Sequence, residues 1–308
     1  MRVLFWGTPE FALPALRALP EEGHTLAGIV TQPDRGTGRG RRVTPGAVKA
    51  AADADGVPIL QPELPRGDDF VREVRRLDPE ISVVVAYGHI LRPEILELPP
   101  RGSINVHASL LPELRGAAPV QWAIARGFDT TGVTVMRMEA GLDSGPVLLQ
   151  VPEPIRADET AGELAARLAE LGAEALVTAL AALTTGELVE REQDDSRATY
   201  APKLQRQQTR IEWTRPAVEI ARWVRATDPV PGAWTELDGR PTKLFRPRVE
   251  VRSGPPGEVL DADPEVGVLV AAGEDAVRFR EVQPAGSRRM EAGEWIRGRG
   301  VAAGARFA

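Results

Sequence analysis

The sequence contains no cysteine, and it has three histidines, His24, His89 and His107, in 308 residues. Disulfide bonds and thiolate chemistry are therefore excluded, and no zinc site is expected because it would need several cysteine or histidine ligands. A chain without cysteine fits the reducing cytoplasm, where we expect this protein to act.

Long hydrophobic runs are also missing. No stretch of about 18 uncharged apolar residues occurs, so we expect no membrane-spanning helix and no membrane partner. The apolar N-terminus is interrupted by Gly7, Pro9 and Glu10, which is typical of a first β-strand rather than of a signal peptide.

Lysine is scarce, because Lys49, Lys203 and Lys243 are the only ones and the other basic side chains are arginines. The net charge of −6 disfavours general binding of nucleic acid, and we expect no DNA partner. The charge is unevenly distributed, however, since residues 31–49 carry five basic residues and one acid. Such a patch can bind a polyanion, but it can equally be a solvated loop.

Apolar runs alternate with helical patterns in the first part of the chain. The predicted strands lie at residues 3–7, 25–32, 58–61, 81–88 and 103–109. This alternation predicts an α/β fold, a Rossmann-like and mostly parallel sheet with helices on both faces. The longest helix should begin at a capping box formed by Thr160 and Glu163 and end at Gly186, with its leucines in the core.

The pattern changes in the last third of the chain. Residues 190–208 are strongly polar and are typical of a linker. Short, closely spaced strands separated by Gly, Pro and Asp turns follow, and they predict a small barrel or sandwich. We therefore expect a first domain at residues 1–189, a linker at 190–208 and a second domain at 209–308.

Polar residues end the predicted strand at 103–109. Asn105 and His107 are two positions apart, so on an extended strand they point to the same side. Asp143 lies between Gly141 and Gly145 in a turn, and such loops often bring catalytic groups to a rigid scaffold. An amide can stabilise an oxyanion, and an imidazole and a carboxylate can move protons. Each residue could equally be structural, but together they favour direct acyl transfer to an amine over a covalent enzyme intermediate.

Two longer motifs contain these residues. They read INVHASLLPELRGAAPVQWAI at 104–124 and VTVMRMEAGLDSGPVL at 133–148, and they closely resemble the folate-dependent formyltransferases. The segments LFWGTPEFALPAL, TQPDRGTGRGRR, AYGHILRPEIL and ATYAPKL also resemble that family. The likeness covers the whole chain, although it is thin after about residue 252.

The resemblance implies a role for particular residues. Its catalytic trio corresponds to Asn105, His107 and Asp143, with Asn105 steadying the oxyanion, His107 as a second donor, and Asp143 holding His107 and accepting the amine proton. Folate-contacting positions correspond to Ser109, Leu110, Leu111, Pro112, Tyr87, Gly88, Ile90 and Leu91, the 87–91 stretch contributing largely through its backbone. Positions near tRNA correspond to Arg39, with Arg41 and Arg42 as helpers, and to Arg206, where the family has a lysine.

The resemblance also implies the substrates. The formyl donor would be 10-formyltetrahydrofolate, and the acceptor would be the α-amine of methionine on initiator tRNA, for translation initiation. No metal is implied, the second domain would be an OB-like barrel that binds tRNA, and we expect a monomer.

Three alternatives compete with this interpretation. A formyltransferase of the same family could act on an amino sugar or a nucleotide precursor. The basic segment TQPDRGTGRGRR at 31–42 and the second domain argue against this alternative. A non-catalytic RNA-binding relative would not need the intact trio. A nucleotide-dependent dehydrogenase is disfavoured because the glycines of a G-x-G-x-x-G motif are missing after the first strand.

Overall fold

The computed structural model describes residues 1–37, 42–52 and 56–308. Within these residues the chain divides into two compact units. The first unit consists of Met1–Pro119, Thr130–Pro154 and Ala165–Ala201, and the second of Val120–Asp129, Ile155–Leu164 and Pro202–Ala308.

The first unit contains a mostly parallel sheet. Its strands are β1 (Arg2–Gly7), β2 (Thr25–Val30), β3 (Arg35–Thr37), β4 (Arg42–Thr44), β5 (Ile59–Leu60), β6 (Ile81–Val85), β7 (Ser103–His107), β8 (Thr130–Arg137) and β9 (Val147–Pro154). The order across the sheet is β5-β2-β1-β6-β7-β8-β9, while β3 and β4 pair separately. Neighbours from β5 to β7 are parallel, and β8 and β9 add an antiparallel edge. The predicted Rossmann-like sheet is thereby confirmed.

Helices lie between the strands of the first unit and also occur in the second unit. They are α1 (Leu13–Glu21), α2 (Ala47–Ala52), α3 (Asp68–Leu77), α4 (Pro93–Leu96), α5 (Pro119–Ala125), α6 (Ala161–Thr185), α7 (Ala217–Thr227) and α8 (Ala292–Arg297). Short 3₁₀ helices cover Glu10–Ala12, Asp195–Arg197 and Arg206–Thr209.

Helix α6 begins and ends as the sequence predicts. The Thr160 hydroxyl accepts from Glu163 N (3.3 Å), and the Glu163 carboxylate accepts from Thr160 N (2.9 Å), which completes the capping box. Gly186, with φ of +76°, follows its last residue. By length and composition alone α6 could cross a membrane, but a core helix meets the same criterion. Four of its leucines are completely buried, namely Leu164, Leu168, Leu176 and Leu180.

The central strands are buried throughout, because helices cover a parallel sheet. All five residues of β6 and of β7 are buried. Strand β6 is shorter than the predicted run to residue 88, since Ala86 adopts φ of +50° and takes the chain out of the sheet. Polar residues in these strands need internal partners. Ser103 has one, because its hydroxyl donates to Leu96 O (2.9 Å).

The second unit contains an antiparallel sheet, as predicted. Its strands are β10 (Trp234–Leu237), β11 (Arg240–Glu250), β12 (Val259–Asp263), β13 (Gly267–Ala271), β14 (Ala276–Pro284) and β15 (Met290–Glu291). They are ordered β10-β11-β14-β13-β12, with β15 beside β14. Trp213 anchors the core, because its ring stacks on Phe307 (5.7 Å) and its Nε1 donates to Thr235 Oγ1 (3.0 Å).

Candidate active site

Strand β7 places two polar side chains in the middle of the sheet. Asn105 pairs with Val84 of β6 on one side and with Met136 of β8 on the other. Asn105 is 9% exposed, yet its amide has no hydrogen-bond partner in the described part of the chain. A buried amide normally has partners. The Asn105 amide is therefore available to a ligand.

His107 is held by a backbone carbonyl. Its Nε2 lies 3.0 Å from Leu114 O, and a carbonyl can only accept, so this nitrogen carries a hydrogen and donates it. The other ring nitrogen, Nδ1, lies 3.7 Å from the Asp143 carboxylate. The imidazole is thus oriented by the loop that follows β7, with its second nitrogen facing an acid.

Asp143 reaches this place from the turn between β8 and β9. It adopts φ of +49°, a left-handed conformation that Asp tolerates better than most residues. Its Oδ2 accepts from Gly116 N (2.8 Å), and its side chain is 18% exposed. The structure therefore brings His107 and Asp143 together, although the turn is remote in sequence.

The loop after His107 is fixed by hydrogen bonds within the first unit. Ser109 Oγ donates to Glu113 O (2.6 Å), and Thr134 Oγ1 donates to Ser109 O (2.6 Å) and accepts from Leu111 N (3.1 Å). Gln150 Nε2 donates to Leu111 O (2.8 Å). These polar groups are satisfied by the protein, so the loop is left with mainly apolar surface for a ligand. Its members are Ser109 and Leu111, which are buried, and Leu110 and Pro112, which are half-buried.

The segment after β6 combines buried and exposed positions. Tyr87 and Leu91 belong to a buried apolar cluster, and burial raises the pKa of Tyr87 to about 12. Gly88, His89 and Ile90 instead border a cavity of about 410 Å³. The buried Tyr87 hydroxyl and His89 Nε2 have no hydrogen-bond partner within the described residues. Among the described residues, the cavity is lined by none of the three candidate catalytic residues, Asn105, His107 and Asp143.

The predicted tRNA-contacting arginines are described only in part. Arg39 and Arg41 lie outside the described residues. Arg42 is the first residue of β4 and pairs with Thr37 of β3. Arg206 is exposed at the start of a 3₁₀ helix in the second unit. Burial, and after it the positive charge of Arg206, lower the pKa of Lys243, so these two cations are neighbours.

Sequence reasoning missed the residues that support the site. Thr199, in the segment that was expected to be a linker, accepts from Leu114 N through its hydroxyl (2.9 Å) and from Arg115 N through its carbonyl (2.9 Å). Ala201 N donates to Arg115 O (2.7 Å). The ATYAPKL motif pointed to this segment, but local patterning could not reveal that it returns to the site loop.

No group of three or more His, Asp or Glu side chains is arranged to hold a metal ion among residues 1–37, 42–52 and 56–308.

Comparison with known proteins shows the family to which the chain belongs. Residues 1–180 match the formyl transferase family, and residues 203–300 match the C-terminal domain of formyl transferases. The chain belongs to the formyl transferase family, which confirms the predicted class of enzyme.

Two curated proteins and one solved structure illustrate what the chain is similar to. The chain is 45% identical to the methionyl-tRNA formyltransferase of Geobacter sulfurreducens over 97% of its own length and 94% of that protein. It is 47% identical to the methionyl-tRNA formyltransferase of Pseudomonas putida, over 94% and 93% of the two chains. In fold it is similar to HypX from Aquifex aeolicus in complex with tetrahydrofolic acid, with a TM-score of 0.69 and 19% identity. That likeness covers 96% of this chain and 47% of the longer HypX chain.

Proposed function

We propose that this protein transfers the formyl group of 10-formyltetrahydrofolate to the α-amino group of methionyl-initiator-tRNA, giving N-formylmethionyl-tRNA for translation initiation. Support comes from two relatives named methionyl-tRNA formyltransferase. They are 45% and 47% identical to this chain over more than nine-tenths of its length and of their own. The structural observation that carries the proposal is Asn105 on the strand that ends in His107, with Asp143 beside the imidazole: the Asn105 side chain is largely buried, and its amide has no hydrogen-bond partner within the described residues.

When bound, the folate donor supplies a formyl carbon attached to nitrogen. The amine nitrogen forms a bond to that carbon, and the bond between the carbon and the folate nitrogen breaks. The amine loses one proton and the folate nitrogen gains one, so the reaction needs no oxidant or reductant.

Asn105 stabilises the charge that develops on the formyl oxygen. Its amide can donate without exchanging a proton, and a donor that is in place before the reaction needs no reorganisation during it. We assign this role to Asn105 rather than share it with His107, because both imidazole nitrogens face protein groups: Leu114 O and the Asp143 carboxylate.

Asp143 and His107 accept the proton that the amine loses and return one to the folate nitrogen. The Asp143 carboxylate is fixed by Gly116 N, so it can accept the amine proton directly or through water. His107 keeps its Nδ1 towards that carboxylate and is oriented by Leu114 O. The pair can then return a proton to the folate nitrogen, which restores its starting state.

The folate is proposed to contact two segments of the first unit. The cavity bordered by Gly88 and Ile90, about 410 Å³, has the size of small-molecule sites, about 300–1,000 Å³. The unpartnered Tyr87 hydroxyl and His89 Nε2 lie in the same segment, and polar groups of this kind suit a heteroaromatic ligand. Leu91, together with Ser109, Leu110, Leu111 and Pro112, completes the proposed set.

The tRNA is proposed to contact Arg39, Arg41 and Arg42 near the acceptor end, and Arg206 in the second unit. Arginine pairs well with phosphate, and such binding weakens as salt rises. Arg206 is exposed beside Lys243, which supports its role as a phosphate contact. We further propose an OB-like second domain at residues 209–308, a linker at 190–208, and a cytoplasmic monomer without DNA or membrane partners.

A direct assay tests the function. The purified protein, 10-formyltetrahydrofolate and charged initiator tRNA should yield N-formylmethionine after hydrolysis of the product ester. An amino-sugar nucleotide serves as the competing acceptor. Formylation of the sugar with none of the tRNA would overturn the proposal, and so would the absence of any formyl transfer. Light scattering at working concentration tests the monomer.

A further inference from the structure

Gln193 links the two loops that form the candidate active site. Its Oε1 accepts from Arg115 Nε (3.1 Å) and Nη2 (2.8 Å), while its Nε2 donates to Asp143 O (2.9 Å) and Gly145 O (2.8 Å). Arg115 lies in the loop that holds His107, and Asp143 lies in the β8–β9 turn. One side chain therefore spans from one loop to the other.

The chemistry of this bridge suits glutamine. A guanidinium only donates and a backbone carbonyl only accepts, so the residue between them must offer an acceptor at one end and a donor at the other. A carboxamide has both, whereas a carboxylate that kept one oxygen on Arg115 would set its other oxygen against the carbonyls of Asp143 and Gly145. Gln193 is half-buried in a segment whose neighbours are exposed.

Both ends of the bridge are well anchored. Arg115 is 4% exposed, and its Nη2 also pairs with Asp195 (2.7 Å), as a buried cation requires. Strand β9 is tied to the same segment, because Arg191 N donates to Val147 O (2.9 Å) and Val147 N donates to Arg191 O (2.8 Å). The turn that carries Asp143 has glycines at positions 141 and 145.

We propose that Gln193 is a positioning residue that fixes the Asp143 turn against the Arg115–Gly116 loop. It keeps the carboxylate on Gly116 N (2.8 Å) and 3.7 Å from His107 Nδ1. This inference rests on the proposed function, because it assumes that Asp143 takes part in formyl transfer. Gln193 touches neither substrate and acts through Asp143.

Gln193→Glu is the informative variant. It preserves size and the acceptor for Arg115, and it removes both donors to the turn. We expect kcat to fall by about 10²-fold, since a misplacement of about 1 Å can cost that much, while KM for both substrates and the melting temperature stay close to wild type. Glu190→Ala is the matched control on the same segment, because it removes an ion pair between Glu190 and Arg137 and should leave kcat unchanged.

Two further readouts separate positioning from a general structural role. In an Asp143→Asn background, Gln193→Glu should cause no additional loss of kcat, because both changes disable the same group. Hydrogen exchange of the amides from Leu142 to Val147 should become faster in Gln193→Glu than in Glu190→Ala. Equal losses in both backgrounds, or unchanged exchange of the turn, would overturn the inference. If the wild-type protein transfers no formyl group, the proposed function is wrong. The hydrogen-exchange measurement still tests whether Gln193 fixes the Asp143 turn.

Discussion

The carboxylate of Asp143 lies 3.7 Å from Nδ1 of His107. His107 ends a buried parallel strand, and Asp143 occupies a left-handed position in the turn between two antiparallel strands. Gly116 N holds the same carboxylate oxygen at 2.8 Å. An acid and an imidazole fixed in this way suit the proton transfers proposed for this site.

Replacement of Asp143 by Asn should abolish most turnover. The amide keeps an oxygen for Gly116 N but loses the charge and the proton-accepting ability, so we expect kcat to fall by about 10²–10⁴-fold. Calorimetric titration with a non-reactive folate analogue should give nearly unchanged affinity. Turnover close to wild type would show that Asp143 is not the proton acceptor.

Asn105→Ala should reduce kcat by about 10²–10³-fold, as expected when one oxyanion donor is removed. Ser103→Ala is the matched control, because Ser103 lies two positions earlier on β7 and its hydroxyl donates to Leu96 O (2.9 Å). That variant should lower the melting temperature and leave kcat unchanged. Similar kcat losses in the two variants would mean that damage to β7, rather than a lost donor, explains the result.

Arg39→Ala should impair the use of charged tRNA and spare folate binding. The loss of one phosphate contact should reduce the slope of log affinity against log salt by about one. Filter binding at several salt concentrations measures the slope, and formylation of a small amine acceptor provides the control. An equal loss with the small acceptor would refute a role for Arg39 in tRNA recognition.

Gly145→Ala should disturb the Asp143 turn, whereas Gly141→Ala should be tolerated. A Cβ at position 145 would overlap the backbone carbonyl of Arg137, which cannot move aside, and a Cβ at position 141 would overlap the Ser144 hydroxyl, which can rotate. Overpacking of this kind costs about 1–3 kcal/mol. The melting temperature and kcat should therefore both fall for Gly145→Ala, and neither should change for Gly141→Ala.

Glu163→Ala should destabilise the start of α6 by about 1 kcal/mol, the usual value of a cap. Burial opposes ionisation, but hydrogen bonds from Thr160 and Arg246 prevail and hold the pKa of Glu163 below its ordinary value. A carboxyl group with a lowered pKa stabilises the fold above its unfolded pKa and loses that contribution as the pH falls through the folded value. The variant's deficit in unfolding free energy should therefore shrink in acid. Glu170→Ala, an exposed change on the same helix, should show no deficit at any pH.

Local patterns predicted much of the scaffold. Strand β2 lies within the run predicted at residues 25–32, and α6 begins at the predicted capping box. Strand β7 ends at His107 rather than at Ser109, because Ser109 already belongs to a loop held by Glu113 and Thr134. Side-chain periodicity and caps depend on near neighbours, which is why sequence reasoning located these elements.

The sequence by itself determined the chemistry that is present: an amide and an imidazole on one face of a buried strand, a glycine-flanked acid, and motifs of the formyl transferase family. Tertiary structure alone decided how these groups meet. It placed Nε2 of His107 on Leu114 O and Nδ1 near Asp143, left the Asn105 amide without a partner among the described residues, and brought Gln193 and Thr199 to the site from a segment that looked like a linker. These contacts join residues that are distant in the chain, so their geometry follows from the packing of the whole first unit and leaves no local pattern to read.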